Sequence, residues 1–342
     1  MADDSARNRT PPGRPKAGGS PLGGRAPKGT SGAVIRRAVH GVLLLDKPLG
    51  LSSNDALQKA KRLYRAEKAG HTGTLDPLAT GLLPLCFGAA TKFSQISLDA
   101  DKAYRATLKL GITTTTADAE GDVLQRREVH VTRDQMQAAC ARFTGAIDQV
   151  PPMHSALKRD GKPLYEYARA GIELEREARR VTIHRIGIVG SQGDEWTLDV
   201  SCSKGTYVRT LAEDIGEALG CGAHLIALRR TGSGSLSVEA ACTLEQLGAM
   251  SEDQRDAQLQ PADALLEDWP IVRLDAEGAG RFLSGVRRRL PLADAANVRV
   301  YGPETYAFLG GGHITAGELI STRLLSPVEV QGLLEHPIHH EN

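Results

Sequence analysis

One carboxylate in a glycine-punctuated loop carries the clearest chemical signal of this 342-residue chain: Gly70-His71-Thr72-Gly73-Thr74-Leu75-Asp76-Pro77-Leu78-Ala79-Thr80-Gly81. Its glycines leave the backbone free where side chains would obstruct. Such a loop can hold one carboxylate, Asp76, rigidly above a cleft, as an active-site loop would. The spacing equally allows Asp76 to be a helix N-cap, because Pro77 is a good first helical residue. A second cluster lies at Lys204-Gly205-Thr206-Tyr207-Val208-Arg209-Thr210-Leu211, where a strand ends in a glycine turn and a helix begins. Tyr207 and Arg209 fall at the helix entrance, and a ring beside a guanidinium can hold a planar base and pair a carboxylate. Taken alone, Tyr207 also reads as core packing.

These side chains need a scaffold, and the pattern along the chain supplies one. Residues 41–45 form an apolar run suited to a buried strand, followed by a turn at Asp46-Lys47-Pro48-Leu49-Gly50. Ser52, Ser53 and Asn54 offer caps for a helix over residues 55–64, with Ala56, Leu57, Ala60, Leu63 and Tyr64 as its apolar stripe. Residues 104–110, 181–186 and 196–202 alternate as strands, and residues 132–143 read as a capped helix. Leu211, Ile215 and Leu219 give the helix after Arg209 a buried stripe. The block 151–180 is polar and basic, with Lys158, Arg159, Lys162, Tyr165, Tyr167, Arg169, Arg176, Arg179 and Arg180. Interleaved rings and cations suit single-stranded RNA, so this block reads as a functional insertion. An amphipathic helix over residues 164–172 is compatible with that. Short β-type runs at 271–274, 298–301 and 306–309 predict a small C-terminal β domain over 270–330.

Composition bounds the rest. A 41% hydrophobic content gives a chain of this length enough apolar surface for real cores. The five cysteines are scattered and never paired as CxxC, so neither a disulfide framework nor a zinc site is expected. No stretch approaches the roughly 20 apolar residues of a membrane span, and the N-terminus lacks an apolar signal core. A cytoplasmic protein is the expectation. Net charge is +1 overall, yet residues 1–40 hold eight Lys or Arg against Asp3 and Asp4. That segment, rich in Gly, Pro and Ser, predicts a disordered basic tail, either a polyanion-binding arm or a solubilising extension.

Together, Leu45-Asp46-Lys47-Pro48, the Gly70 to Gly81 loop, the Tyr104 strand, Met153-His154-Ser155-Ala156-Leu157-Lys158, Leu164-Tyr165-Glu166-Tyr167-Ala168, Cys202-Ser203-Lys204-Gly205-Thr206-Tyr207-Val208-Arg209 and Gly220-Cys221-Gly222-Ala223-His224-Leu225 to Arg230 resemble the bacterial tRNA pseudouridine synthase B family, in order, over residues 41–245. The resemblance implies an α+β pseudouridine synthase fold: a catalytic domain over 41–250 with a central, largely antiparallel sheet, an RNA-gripping insertion at 151–180, and a PUA-like C-terminal domain. Arg287-Arg288-Arg289 would offer that domain phosphate contacts or form a solvated turn. The implied reaction turns uridine 55 of the tRNA T loop into pseudouridine, with no cofactor or metal. Asp76 would be the nucleophile, at ribose C1′ or uracil C6. Arg209 would pair with it and keep it ionised. Tyr104 would stack on the flipped uracil and assist proton removal, while Tyr207 and Leu228 complete the pocket. His71 would fill the place of the extruded base. Lys47 and Pro48 would shape the pocket wall, with phosphate contact an alternative for Lys47.

Two other readings compete. Thr72-Gly73-Thr74-Leu75 resembles the loop of aspartyl-phosphate enzymes, but there the Asp precedes the motif. A non-catalytic tRNA-folding protein would use the same cleft without needing Asp76 or Arg209. The RNA-guided synthases of archaea and eukaryotes carry a similar loop. The 151–180 insertion and Leu78-Ala79-Thr80 instead resemble the stand-alone type, so a monomer acting on the T stem-loop without guide RNA or membrane is expected.

Overall fold

The computed structural model describes residues 35–304, 307–336 and 338. The first 34 residues of the expected basic tail, and Tyr306, lie outside the described residues. The tail boundary expected at residue 40 moves: Arg37 pairs with Asp256 at 2.5 Å and bridges to Ala66, and Val39 is buried.

The apolar run becomes strand β1, Gly41–Lys47. Its alternation serves two cores: Val42 and Leu44 face the C-terminal unit, whereas Leu43 and Leu45 face the first helix. Each such leucine contributes about 1.5–3 kcal/mol by leaving water. Helix α1, Ser53–Leu63, starts where Ser52 accepts from the Asp55 amide at 3.1 Å. Strand β2, Ala69–His71, leads into the Asp76 loop, and strand β3, Ala79–Phe87, leaves it. No helix follows Pro77, so the capping reading of Asp76 is overturned. The chain makes one turn, closed by the Ala79 amide on the Asp76 carbonyl at 3.0 Å, and pairing of β3 with β1 outweighs the local capping signal.

Then come α2 (Ser94–Asp99), β4 (Lys102–Leu110), the hairpin β5 (Ile112–Thr114) and β6 (Val123–Arg126), α3 (Arg133–Arg142) and β7 (Gly145–Gln149). The 151–180 block holds a small hairpin, β8 (Lys158–Arg159) and β9 (Lys162–Pro163), and one short helix, α4 (Leu164–Arg169). After it run β10 (Arg179–Gln192), β11 (Glu195–Cys202), α5 (Val208–Ala218), β12 (Ala223–Ser233), β13 (Leu236–Ser237), β14 (Cys242–Thr243), α6 (Leu244–Ala249), α7 (Glu252–Asp256) and β15 (Leu259–Gln260). The main sheet has the order β14-β1-β3-β12-β4-β11-β10-β7, with β15, β2 and β13 attached to β1, β3 and β12. Only the β1–β14 and β3–β12 pairs are parallel, so the largely antiparallel sheet expected from the sequence is present.

The C-terminal unit follows: β16 (Ile271–Arg273), α8 (Ala276–Leu283), β17 (Arg288–Arg289), β18 (Ala295–Tyr301), β19 (Phe308–Thr315), β20 (Glu318–Leu324) and α9 (Pro327–Glu335). Its sheet, ordered β16-β18-β19-β20-β17, shares a core with the main sheet. Phe93 and Phe308 meet there at 5.3 Å between ring centres. All five cysteines are buried free thiols, and no described helix is long and apolar enough to cross a membrane.

Candidate active site

The Asp76 loop is held at several points. The Thr72 amide donates to the Pro84 carbonyl at 3.1 Å, and the Gly50 amide to the Pro77 carbonyl at 2.9 Å. Ser53 Oγ takes the Leu75 amide at 2.7 Å and returns a bond to its carbonyl at 3.1 Å. Gly73 adopts a φ of +95°, which a residue with a Cβ resists. Asp76 is thereby presented rigidly, its side chain 43% exposed.

Opposite the loop, the first turn of α5 brings up Arg209. Its Nη2 lies 3.1 Å from Asp76 Oδ2. The guanidinium is 6% exposed, also donates to the carbonyls of Thr116 and His154, and meets Asp118 Oδ2 at 3.4 Å. Asp118 is a second carboxylate that sequence reasoning missed. It is buried behind Arg209 and accepts from Thr116 Oγ1 at 2.5 Å and the Glu120 amide at 3.1 Å. The residue before it, Ala117, has a φ of +58°, a strained conformation of the kind that collects at functional sites.

Asp76, Tyr104, Tyr207, Arg209 and Leu228 share the wall of one cleft of about 260 Å³. This is smaller than the roughly 300–1,000 Å³ of pockets that take drug-sized ligands. It suits one planar ring. Tyr104 and Leu228 come from neighbouring strands, where Leu228 sits opposite Ala106 and Arg230 opposite Tyr104. Gln149 fixes Tyr207 by two bonds to its backbone, at 2.8 and 3.1 Å. Burial raises both phenols above the ordinary tyrosine range, so each is a neutral O–H at physiological pH. Ser155 Oγ lies buried in the same wall without a hydrogen-bond partner.

The remaining predicted residues stand outside the cleft. His71 is half-buried on β2, its Nδ1 without a partner; burial and the nearby Arg230 lower its pKa, so the ring is neutral. Pro48 is exposed on the turn after β1. Lys47 is fully buried, donating to the Pro48 and Leu51 carbonyls at 2.9 and 2.6 Å, with its pKa brought down by burial to about 8. Phosphate cannot reach that ammonium, which corrects the phosphate alternative. The signal was available, because alternation along β1 puts Lys47 on the face of Leu43 and Leu45. Arg230, which sequence reasoning named only as the end of a motif, lines the cleft. No three His, Cys, Asp or Glu side chains gather into a metal site among the described residues.

Chemically, the cleft offers a fixed carboxylate nucleophile beside a buried guanidinium, aromatic walls for a flat ring, and a phenol as proton donor. Comparison with known proteins gives a consistent result. The TruB family pseudouridylate synthase N-terminal domain matches residues 61–208, the tRNA pseudouridylate synthase B C-terminal domain residues 209–267, and the pseudouridine synthase II TruB C-terminal domain residues 270–325. The chain is 67% identical over 273 residues to tRNA pseudouridine synthase B of Ralstonia pickettii, covering 78% of this chain and 86% of that one. It is 61% identical over 299 residues to tRNA pseudouridine synthase B of Burkholderia mallei, covering 85% and 99%. Among solved structures, a Cbf5-Nop10-Gar1 complex matches with a TM-score of 0.64 at 26% identity over 84% of each chain. An H/ACA RNP bound to a substrate RNA containing 2′-deoxyuridine matches with a TM-score of 0.63 at 23% identity, covering 85% of this chain and 86% of that one. The latter likeness is one of fold.

Proposed function

The chain belongs to the TruB family of pseudouridylate synthases, and from that premise we propose that its cleft takes uridine 55 of the tRNA T stem-loop, with Asp76 as the nucleophile. The enzyme isomerises uridine to pseudouridine in tRNA. The N1–C1′ bond breaks, the base turns, and C5 bonds to C1′. Attack at ribose C1′ and attack at uracil C6 make the same demand, a carboxylate held ionised against the nucleoside. The observation that carries the assignment is Asp76 itself, half-exposed in a ring-sized cleft, 3.1 Å from a buried arginine.

Placement supports the other roles in this reading. Arg209 orients Asp76, and Asp118 balances the guanidinium from behind. Tyr104, Tyr207 and Leu228 hold the flipped uracil. Extruding that base costs on the order of a few kcal/mol, and the neutral ring of His71 offsets part of this by stacking in the vacated place. Lys47 and Pro48 carry the turn that braces the loop from below. Exposed Lys158, Arg159, Lys162 and Arg169 of the insertion meet phosphates, and Tyr165, beneath Arg169 at 5.3 Å, adds a stacking surface. The C-terminal sheet acts as a PUA-like RNA contact through Arg287 to Arg289. The enzyme works as a cytoplasmic monomer, without guide RNA.

The test compares wild type and Asp76→Asn on unmodified tRNA transcript by a pseudouridine-specific readout, with tRNA binding measured for both. Wild type should convert the T-loop uridine while Asp76→Asn binds tRNA and converts none. Conversion by Asp76→Asn at the wild-type rate would remove Asp76 from its role, and conversion at another position would overturn the T-loop assignment.

A further inference from the structure

Arg230 is only 1% exposed, and its hydrogen bonds run to main-chain carbonyls: Nε to Leu82 at 2.7 Å and Nη2 to Gly73 at 3.3 Å. Among the described residues it makes no ion pair. A buried cation without a carboxylate is expensive, and an apolar side chain of similar size would fill the space at lower cost. Its position suggests what the charge serves. Arg230 on β12 lies directly opposite Tyr104 on β4, and such antiparallel partners project from the same face of the sheet with adjoining Cβ atoms. Both side chains line the cleft, and the guanidinium's charge partly opposes the rise that burial imposes on the Tyr104 phenol. Its other arm holds Gly73, three residues before Asp76. The backbone beneath is fixed, since a Cβ at Gly81 would lie 2.3 Å from the Arg230 carbonyl oxygen. One immobile cation therefore anchors the Asp76 loop and lies cross-strand from Tyr104.

The neighbouring cation is otherwise engaged. Lys102 shares the inward face of β4 with Tyr104, but its ammonium donates to the carbonyls of Ser97, Leu98 and Ala100 at 2.7, 3.1 and 2.6 Å. Arg230 is thus the charge placed to act on Tyr104.

Isomerisation moves one proton: uridine carries it on C5, pseudouridine on N1. We propose that Arg230 is a positioning residue that makes Tyr104 the carrier of this proton. The inference rests on the reading of the cleft as the uridine site. As the N1–C1′ bond breaks, its electrons pass to N1, which takes the phenol proton and leaves a phenolate beside the guanidinium. The base turns and C5 bonds to C1′. The phenolate then accepts the proton from C5, whose C–H electrons restore the C5–C6 double bond. Tyr104 ends as it began, and no co-reactant is consumed. Burial favours the neutral phenol at the start; the fixed cation stabilises the phenolate in between.

The experiment measures single-turnover conversion, with enzyme in excess over unmodified tRNA transcript, for wild type, Arg230→Gln, Arg230→Lys, Tyr104→Phe and the Tyr104→Phe/Arg230→Gln pair. Fluorine NMR of each protein labelled with 3-fluorotyrosine accompanies it, the Tyr104 resonance being assigned by its absence from Tyr104→Phe. Arg230→Gln should slow conversion by about tenfold or more with tRNA affinity unchanged. Arg230→Lys should recover part of the rate, and Arg230→Gln should cost less than about twofold once Tyr104 is Phe. The Tyr104 resonance should move in Arg230→Gln. Losses that multiply in the pair, or an unmoved resonance, would overturn the role of Arg230. If Arg230→Gln does not fold, Arg230→Lys takes its place in the cycle; if Tyr104→Phe converts nothing measurable, the fluorine resonance decides. A Tyr104→Phe enzyme at the wild-type rate would instead remove the assignment of Tyr104, and the proposal with it.

Discussion

Replacing Arg209 by methionine probes the electrostatic frame of the site. The guanidinium is 6% exposed and stands between Asp76 at 3.1 Å and Asp118 at 3.4 Å. Asp76, 43% exposed, rehydrates when the cation goes. Asp118, at 4%, cannot, and keeps only Thr116 Oγ1 and the Glu120 amide as donors. Removing one partner of a buried ion pair costs about 3–5 kcal/mol. With a urea slope of roughly 2–3 kcal/mol per M, Arg209→Met should lower the unfolding midpoint by on the order of 1.5 M. Adding Asp118→Leu removes the stranded charge, and stability should return to within about 1–2 kcal/mol of wild type. Activity should not return, because Asp76 still lacks its partner. Urea curves followed by the fluorescence of Trp196 and Trp269, with conversion assays on the same preparations, make the measurement. A loss below about 1 kcal/mol in Arg209→Met, or a double variant no more stable than the single, would refute the reasoning.

Three further outcomes are expected. Gly81→Ala forces a Cβ to 2.3 Å from the Arg230 oxygen at a φ of +97°, and should cost about 3 kcal/mol or more together with activity. Gly248→Ala, in open space on α6, is its control and should leave activity unchanged; equal melting temperatures for the two would contradict the packing argument. Burial brings Lys47 and Lys102 down to about 8 from an ordinary 10.5, so between those values the unfolded chain binds more protons than the folded one. Stability should therefore rise from pH 8 toward 10, by up to about 1.4 kcal/mol per pH unit for each lysine. Lys102→Met should flatten that rise in urea titrations, and an unchanged slope would rule the lysine out. Replacing the exposed Lys158, Arg159 and Lys162 by Ala should weaken tRNA binding and reduce the slope of log K against log salt by about 0.7–0.9 for each lost phosphate contact. A salt slope equal to wild type would take the hairpin out of the interface.

Much of the scaffold was legible because local rules decide it. Strand β1, the Ser52-capped α1, the Thr132-capped α3 and the alternating strands β4, β10 and β11 all lie where period and capping chemistry place them. The helix that capping chemistry allowed at Pro77 was the local rule that lost, because a segment flanked by β1 and β12 gains more from ladder hydrogen bonds and burial on both faces than from one cap. Strand β12 was legible only as part of a motif; its bulges at Leu225/Ala227 and Arg230/Gly232 break the simple alternation.

The types of the candidate groups were set by the sequence itself: a carboxylate in a glycine loop, a Tyr and an Arg at a helix start, and a basic block rich in tyrosine. Their mutual placement belonged to the tertiary structure. Asp118, in a polar turn without an informative period, matters only because the fold carries it behind Arg209. Arg230 and Lys102 look like surface charges as letters, yet the register of β12 on β4 turns them inward around Tyr104. Capping and periodicity act over a few residues and can be read along the chain. Desolvation and charge pairing depend on which distant strands become neighbours, and only the folded sheet determines that.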